Sequence, residues 1–113
     1  MTVTIWHNPR CSKSRRTLKI LNEKGIEPEI IDYQQTRPDK AEIRRILGLL
    51  QMTADQLIRK GEKIFKELEL SGASEDLLIS AMATNPILIE RPIVEANGKA
   101  ALGRPPESVL KIL

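Results

Sequence analysis

Apolar residues fall along this chain in short blocks whose spacing alternates between strand-like and helix-like. Residues 2–6 (TVTIW) are β-branched and aromatic, which predicts a short buried strand. His7, Asn8, Pro9 and Arg10 form a turn, with Asn-Pro as the breaker. Cys11, Ser14, Leu18 and Leu21 then recur at helical spacing, and Lys24-Gly25 supplies a helix C-terminus. Residues 29–33 (EIIDY) predict a second strand. Strand, helix, strand in this order is a βαβ unit, so the two strands are expected to run parallel.

The middle of the chain reads as helical. Pro38 suits the first position of a helix whose apolar stripe is Ile43, Ile46, Leu47 and Leu50. Thr53 with Gln56 three residues on is a capping-box signature for a short helix ending at Arg59-Lys60-Gly61. A weaker helical turn covers Lys63–Glu67. Ser74 caps another helix with Leu77, Leu78, Ala81 and Met82 on its face, stopped by Asn85-Pro86. Residues 92–95 and 99–102 flank Asn97-Gly98, the strongest short hairpin signal. Pro105 and Pro106 open a last helix with Val109, Leu110 and Leu113 on one face. The order β-α-β, helices, β-β-α fits an α/β fold with a four-stranded mixed sheet flanked by helices. It is similar to the element order of the thioredoxin-like fold, with an inserted helical block between its two halves. With 113 residues, positions 1–113 are read as one domain.

Composition narrows the function. Apolar residues make up 41% and charged residues 29%, an ordinary globular mix. The net charge of +3 favours anionic ligands but gives little support for nucleic acid, and Trp6, Tyr33 and Phe65 are too few for a base-stacking platform. One cysteine and one histidine exclude a tetrahedral zinc site and a disulfide within one chain. No signal peptide and no bilayer-spanning run is read, so a cytoplasmic protein with a reduced thiol is expected, with no membrane partner. No nicotinamide or flavin motif is present, so no bound cofactor is expected and reducing power must come from a partner.

Cys11 is the candidate nucleophile. It follows a strand and a tight turn and falls at a helix N-terminus, where unpaired backbone N–H groups and the helix dipole favour thiolate. Arg10, Lys13, Arg15 and Arg16 add cationic charge. Such settings lower a cysteine pKa by one to several units from about 8.5. The same donors bind a tetrahedral oxyanion. A polar, cationic neighbourhood is a poor setting for an inert core cysteine. Ser14, three residues on, shares the helix face of Cys11 and is placed to donate its hydroxyl proton to the thiolate.

Four segments carry a family resemblance. His7-Asn8-Pro9-Arg10-Cys11-Ser12-Lys13-Ser14-Arg15 resembles the active-site loop of the glutaredoxin-coupled arsenate reductase family. Leu57-Ile58-Arg59-Lys60, Asn85-Pro86-Ile87-Leu88-Ile89-Glu90-Arg91-Pro92-Ile93-Val94 and Gly103-Arg104-Pro105-Pro106-Glu107 resemble further segments of it, in order along essentially the whole chain. The resemblance implies that Cys11 attacks arsenate as a thiolate, with Arg59, Arg91 and Arg104 holding the oxyanion. It implies glutathione as co-substrate and glutaredoxin as the partner that completes reduction to arsenite. It also implies that His7 helps activate Cys11 through Ser14 and that Arg91-Pro92 is cis; Arg15, adjacent to the loop, is expected to touch the anion or a glutathione carboxylate. Three guanidinium groups suit a tetrahedral anion, because each offers forked hydrogen bonds as well as charge.

Arg10 and Lys13 stand where better-matched members tend to carry smaller or neutral residues, and the stretch from Arg59 to Arg91 is slightly shorter than theirs, which points to a divergent subgroup. Two alternatives follow. One is a thiol oxidoreductase or oxyanion-binding protein without arsenate turnover. The other is a redox-linked transcriptional regulator of the same fold; that related family typically carries Cys-x-x-Cys, and Ser14 here occupies the second position, so its disulfide switch cannot form.

Overall fold

A computed structural model describes residues 2–113. The chain forms two compact units, one from the residues up to Thr36 together with Arg91–Leu113, the other from Arg37–Glu90.

The first unit holds the whole sheet. Strand β1 (Thr4–Trp6), helix α1 (Ser12–Glu23) and strand β2 (Glu29–Ile31) make the βαβ element, with β1 and β2 parallel. The hairpin strands β3 (Ile93–Ala96) and β4 (Lys99–Leu102) complete a mixed sheet in the order β2-β1-β3-β4. β3 pairs antiparallel with β1, Trp6 opposite Ile93, and β4 antiparallel with β3, Leu102 opposite Ile93. The hairpin closes at Asn97 (φ 56°) and Gly98 (φ 70°), the two left-handed positions of a type I′ turn. This is the thioredoxin-like arrangement. Val3, Ile5, Leu21, Val94, Ala96, Val109 and Ile112 pack together as a core cluster of this unit.

Several features differ from the sequence reading. β1 starts at Thr4 rather than Thr2. The second strand stops at Ile31, because Tyr33 opens a short helix α2 (Tyr33–Thr36) and stacks on Trp6 with ring centroids 6.2 Å apart. The last helix is a 3₁₀ helix (Pro106–Ile112) with Pro105 before its first residue. Its period of three puts Pro106, Val109 and Ile112 on the buried face and turns Leu110 outward. Both Arg91–Pro92 and Arg104–Pro105 are cis; the first matches expectation and no sequence signal marks the second.

The second unit is helical: α3 (Lys40–Leu50), α4 (Ala54–Leu57), α5 (Lys63–Glu67), α6 (Glu75–Thr84) and a 3₁₀ turn (Pro86–Leu88). Asp39, not Pro38, sets the start of α3: its carboxylate accepts the Glu42 N–H at 2.8 Å, so the first helical residue is Lys40. The Thr53–Gln56 capping box is formed in both directions. Ser74 caps α6, as its sequence predicts, but Leu77 points to solvent and Ile79 takes its place beside Leu78, Ala81 and Met82. The Glu75 carboxylate accepts the Ala54 N–H at 3.0 Å, tying the start of α6 to the start of α4.

Leu21 is fully buried in the sheet core. Leu21→Ala is expected to cost about 2–5 kcal/mol, read as a lower urea midpoint at an unchanged slope; a midpoint within error of the parent rejects this core assignment.

Candidate active site

The loop before α1 is built by its own side chains. Pro9 sits at the second position of a turn closed by the Cys11 N–H on the Asn8 carbonyl at 3.0 Å. The Asn8 side chain accepts the Arg10 N–H at 3.0 Å, fixing the turn from inside. Cys11 is thereby left as the N-cap of α1 in extended backbone (φ −95°, ψ 123°), and its side chain makes no cap hydrogen bond. The first turn of α1 carries no acidic residue. Lys13 and Arg15 stand there instead, so the positive field of the helix end is left without an acidic side chain against it.

The thiol of Cys11 is half-buried and free. Burial opposes its ionisation, but the backbone N–H groups of Ser14 and Lys13 and the guanidinium of Arg91 outweigh burial and hold its pKa below the usual value. Arg104 reaches the same sulfur, with Nη2 at 3.8 Å from Sγ. Its Nε donates to the Arg91 carbonyl at 2.9 Å, which ties the two arginine segments together. Arg91 is itself buried. A half-exposed sulfur with a lowered pKa and two guanidinium groups beside it is suited to ionise and to meet an anion.

His7 and Ser14 form a buried pair beneath the loop. His7 Nδ1 lies 2.6 Å from Ser14 Oγ, and the same oxygen accepts the Asn8 N–H at 3.0 Å. Burial pulls the His7 pKa down, Asp32 opposes this, and Arg15 adds to it. The imidazole is therefore neutral near pH 7. With Nε2 protonated, Ser14 donates to Nδ1; with Nδ1 protonated, the imidazole donates and the Ser14 hydroxyl hydrogen is released to another acceptor. Arg15 points back over the loop, Nη1 donating to the Pro9 carbonyl at 2.9 Å.

One unit thus brings together Cys11, Ser14, His7, Arg91 and Arg104, with Arg15 bracing the loop. Arg59 belongs to the helical unit. Its backbone N–H donates to the Leu88 carbonyl at 2.7 Å. Its guanidinium sits between Glu62 (Nε to Oε2, 3.1 Å) and Glu90 (Nη1 to Oε1, 3.1 Å). Among the described residues no three His, Cys, Asp or Glu side chains come together as a metal site.

Two residues do more than the sequence pattern says of them: Asn8, read there only as half of a turn breaker, and Gly103. Asn8 shapes the loop through both its side chain and its N–H. Gly103 is required by space: a Cβ there would lie 2.6 Å from Thr17 Oγ1 and 2.7 Å from Pro92 Cγ. Thr17 is held by its own hydrogen bond to the Lys13 carbonyl at 2.8 Å, so it cannot simply turn away. The absence of a side chain at Gly103 lets the chain carry Arg104 past Pro92 and α1 toward the sulfur.

Fold and site together describe a thioredoxin-like protein with one cysteine set beside arginines. Residues 6–112 match the ArsC family, and the chain belongs to it. It is 55% identical to the uncharacterized protein YfgD of Escherichia coli K12, over 98% of this chain and 96% of that protein. It is 45% identical to the arsenate reductase of Neisseria meningitidis serogroup A, over 98% and 97%. The solved structure of the arsenate reductase from Vibrio cholerae superposes with a TM-score of 0.97 at 48% identity, covering 100% of this chain and 98% of that one.

Iodoacetamide alkylation of Cys11 against pH is expected to show a midpoint below that of a free cysteine, moved upward in Arg91→Met. An unchanged midpoint in that variant removes Arg91 as a cause. Gly103→Ala is expected to lower stability by about 1–3 kcal/mol, partly recovered when Thr17→Ala is added; full stability in the single variant shows that the space is not needed.

Proposed function

We propose that this protein is an arsenate reductase of one domain, acting in the cytoplasm with glutathione as co-substrate and glutaredoxin as partner. The observation that carries the reading is the Cys11 sulfur with Arg91 and Arg104 on it: Arg91, which helps lower its pKa, and Arg104, 3.8 Å away, also attract a tetrahedral anion to it. Membership of the ArsC family and the arsenate reductases among its relatives support the choice of arsenate.

In this reading Arg59, Arg91 and Arg104 hold arsenate while the Cys11 thiolate attacks arsenic. An S–As bond forms and one arsenate oxygen leaves as water, arsenic remaining in its +5 state. Two further thiols, from glutathione and glutaredoxin, supply two electrons and leave joined as a disulfide. Arsenic departs as arsenite in its +3 state, and Cys11 returns as thiolate. One cysteine is enough because the resolving thiols come from outside. Ser14 and His7 act as positioning residues: their buried hydrogen bonds hold the first turn of α1, whose N–H groups stabilise the sulfur. Arg15 steadies the loop and adds positive charge. Neither a membrane nor nucleic acid takes part.

Arsenate-dependent NADPH oxidation, coupled through glutathione reductase with glutathione and glutaredoxin, tests the reading; no turnover above background rejects it. Cys11→Ser is expected to fall to background. Removing one oxyanion donor costs roughly 10²-fold or more in rate, so Arg59→Ala, Arg91→Ala and Arg104→Ala are each expected to lose activity on that scale. Wild-type rates in all three would exclude the proposed anion site.

A further inference from the structure

Arg10 precedes the nucleophile in the chain, and among the described residues no hydrogen bond or ion pair engages its side chain. It lines a small cleft of about 210 Å³ with Asn8, Pro9, Asp32, Gln34 and Gln35, all within the sheet unit. The parallel pairing of β1 and β2 builds this cleft. Trp6 lies beside Ile31, and the His7 N–H donates to the Ile31 carbonyl at 2.8 Å, so the segments that follow the two strands are neighbours. The charges of the cleft are opposite and do not meet. Arg10 is exposed and Asp32 half-buried, and neither takes part in an ion pair among the described residues. Gln35 and Thr36 donate to the backbone carbonyl of Asp32 and leave its carboxylate open. The side-chain amides of Gln34 and Gln35 complete the polar lining. A cation and an anion kept apart in one cleft suit a ligand that carries both charges a short distance apart. At about 30 Å³ per water the cleft holds about seven waters, the room of one amino-acid residue.

We propose that this cleft is a subsite for the amino-acid end of the peptide thiol, with Asp32 taking its ammonium and Arg10 its carboxylate. The proposal rests on the reading of glutathione as co-substrate and deepens it. Glutathione carries an ammonium and a carboxylate on one carbon at its γ-glutamyl end, whereas its glycyl end has a carboxylate alone. The two charges of the cleft therefore select the γ-glutamyl end. The reach is suitable. Asn8 and Cys11 are the first and last residues of one β-turn, closed at 3.0 Å, so their Cα atoms lie within about 7 Å. An extended tripeptide spans about 10 Å. A γ-glutamyl group in the cleft thus leaves the thiol of the next residue close enough to meet the Cys11 side of the turn.

Thiol–disulfide exchange reads the subsite without arsenate. The Cys11 thiolate attacks glutathione disulfide, an S–S bond joins Cys11 to one glutathionyl group, and the other leaves as thiolate, with no net oxidation. The comparison is the disulfide of N-acetylcysteinylglycine, which keeps the glycyl carboxylate, lacks the γ-glutamyl end and has the same net charge. The ratio of the two rates cancels general steering and any change in Cys11 itself, including one passed from Asp32 through His7. The parent is expected to prefer glutathione disulfide, and to accept γ-glutamylcysteine disulfide equally well. Arg10→Gln and Asp32→Asn are each expected to lower the preference by about fivefold, the upper end for an exposed ion pair. Arg10→Lys, which keeps the charge, is expected to retain most of it. A parent with no preference, or a preference that either Arg10→Gln or Asp32→Asn leaves intact, overturns the proposal. The coupled arsenate assay is scored apart. Turnover with glutathione beside an unchanged preference rejects the subsite alone. A preference lost in both variants, with no arsenate turnover by the parent, rejects arsenate alone.

Discussion

Two antiparallel strand pairings decide which segments of the sheet unit can meet. Trp6 lies opposite Ile93 across β1 and β3, and Ile93 lies opposite Leu102 across β3 and β4. The chain therefore leaves β1 toward Cys11, enters β3 from Arg91-Pro92, and leaves β4 into Gly103-Arg104, all at one end of the sheet. Three segments distant in sequence become neighbours through backbone hydrogen bonds made far from any sulfur or guanidinium. A slip of one residue in either pairing would carry a core side chain to the opposite face, so the hydrophobic pattern that builds Val94 and Ile5 into the core also fixes the position of the site.

Charge at the site is arranged against the stability of its own helix. A first turn with Lys13 and Arg15 and no acid adds positive charge to a helix end that already carries it. The thiolate answers part of that field. The amides of Lys13 and Ser14 are offered to the sulfur because no side chain caps α1. A serine or aspartate at position 11 would cap the helix better and would have no nucleophilic sulfur. Beneath the loop, the neutral His7 and Ser14 keep the support uncharged, so the local field comes from the arginines and the helix end.

Much of this was legible in the residues. The βαβ order, the I′ hairpin at Asn97-Gly98, the capping box at Thr53 and the position of Cys11 at a helix start follow from local chemistry that needs no distant partner. The misplaced features are those decided by competition. Asp39 outbids Pro38 because a carboxylate that accepts an N–H defines a helix start more sharply than a fixed φ. Tyr33 leaves the strand for a ring contact. The last helix takes a three-residue period where an α period was read. The arginines of the site were grouped by resemblance alone, since strand register is not visible in any one segment. Gly103 was invisible for a different reason: its requirement is set by Thr17 and Pro92, which approach it only in three dimensions.

Trp6 is the one indole in the chain, buried at the end of β1 and stacked on Tyr33. His7 follows it directly. The fluorophore is thus wired by a single peptide link to the loop that carries the nucleophile, in a protein with almost no other aromatic emission to obscure it. An intrinsic fluorophore therefore stands at the base of the segment that carries Cys11.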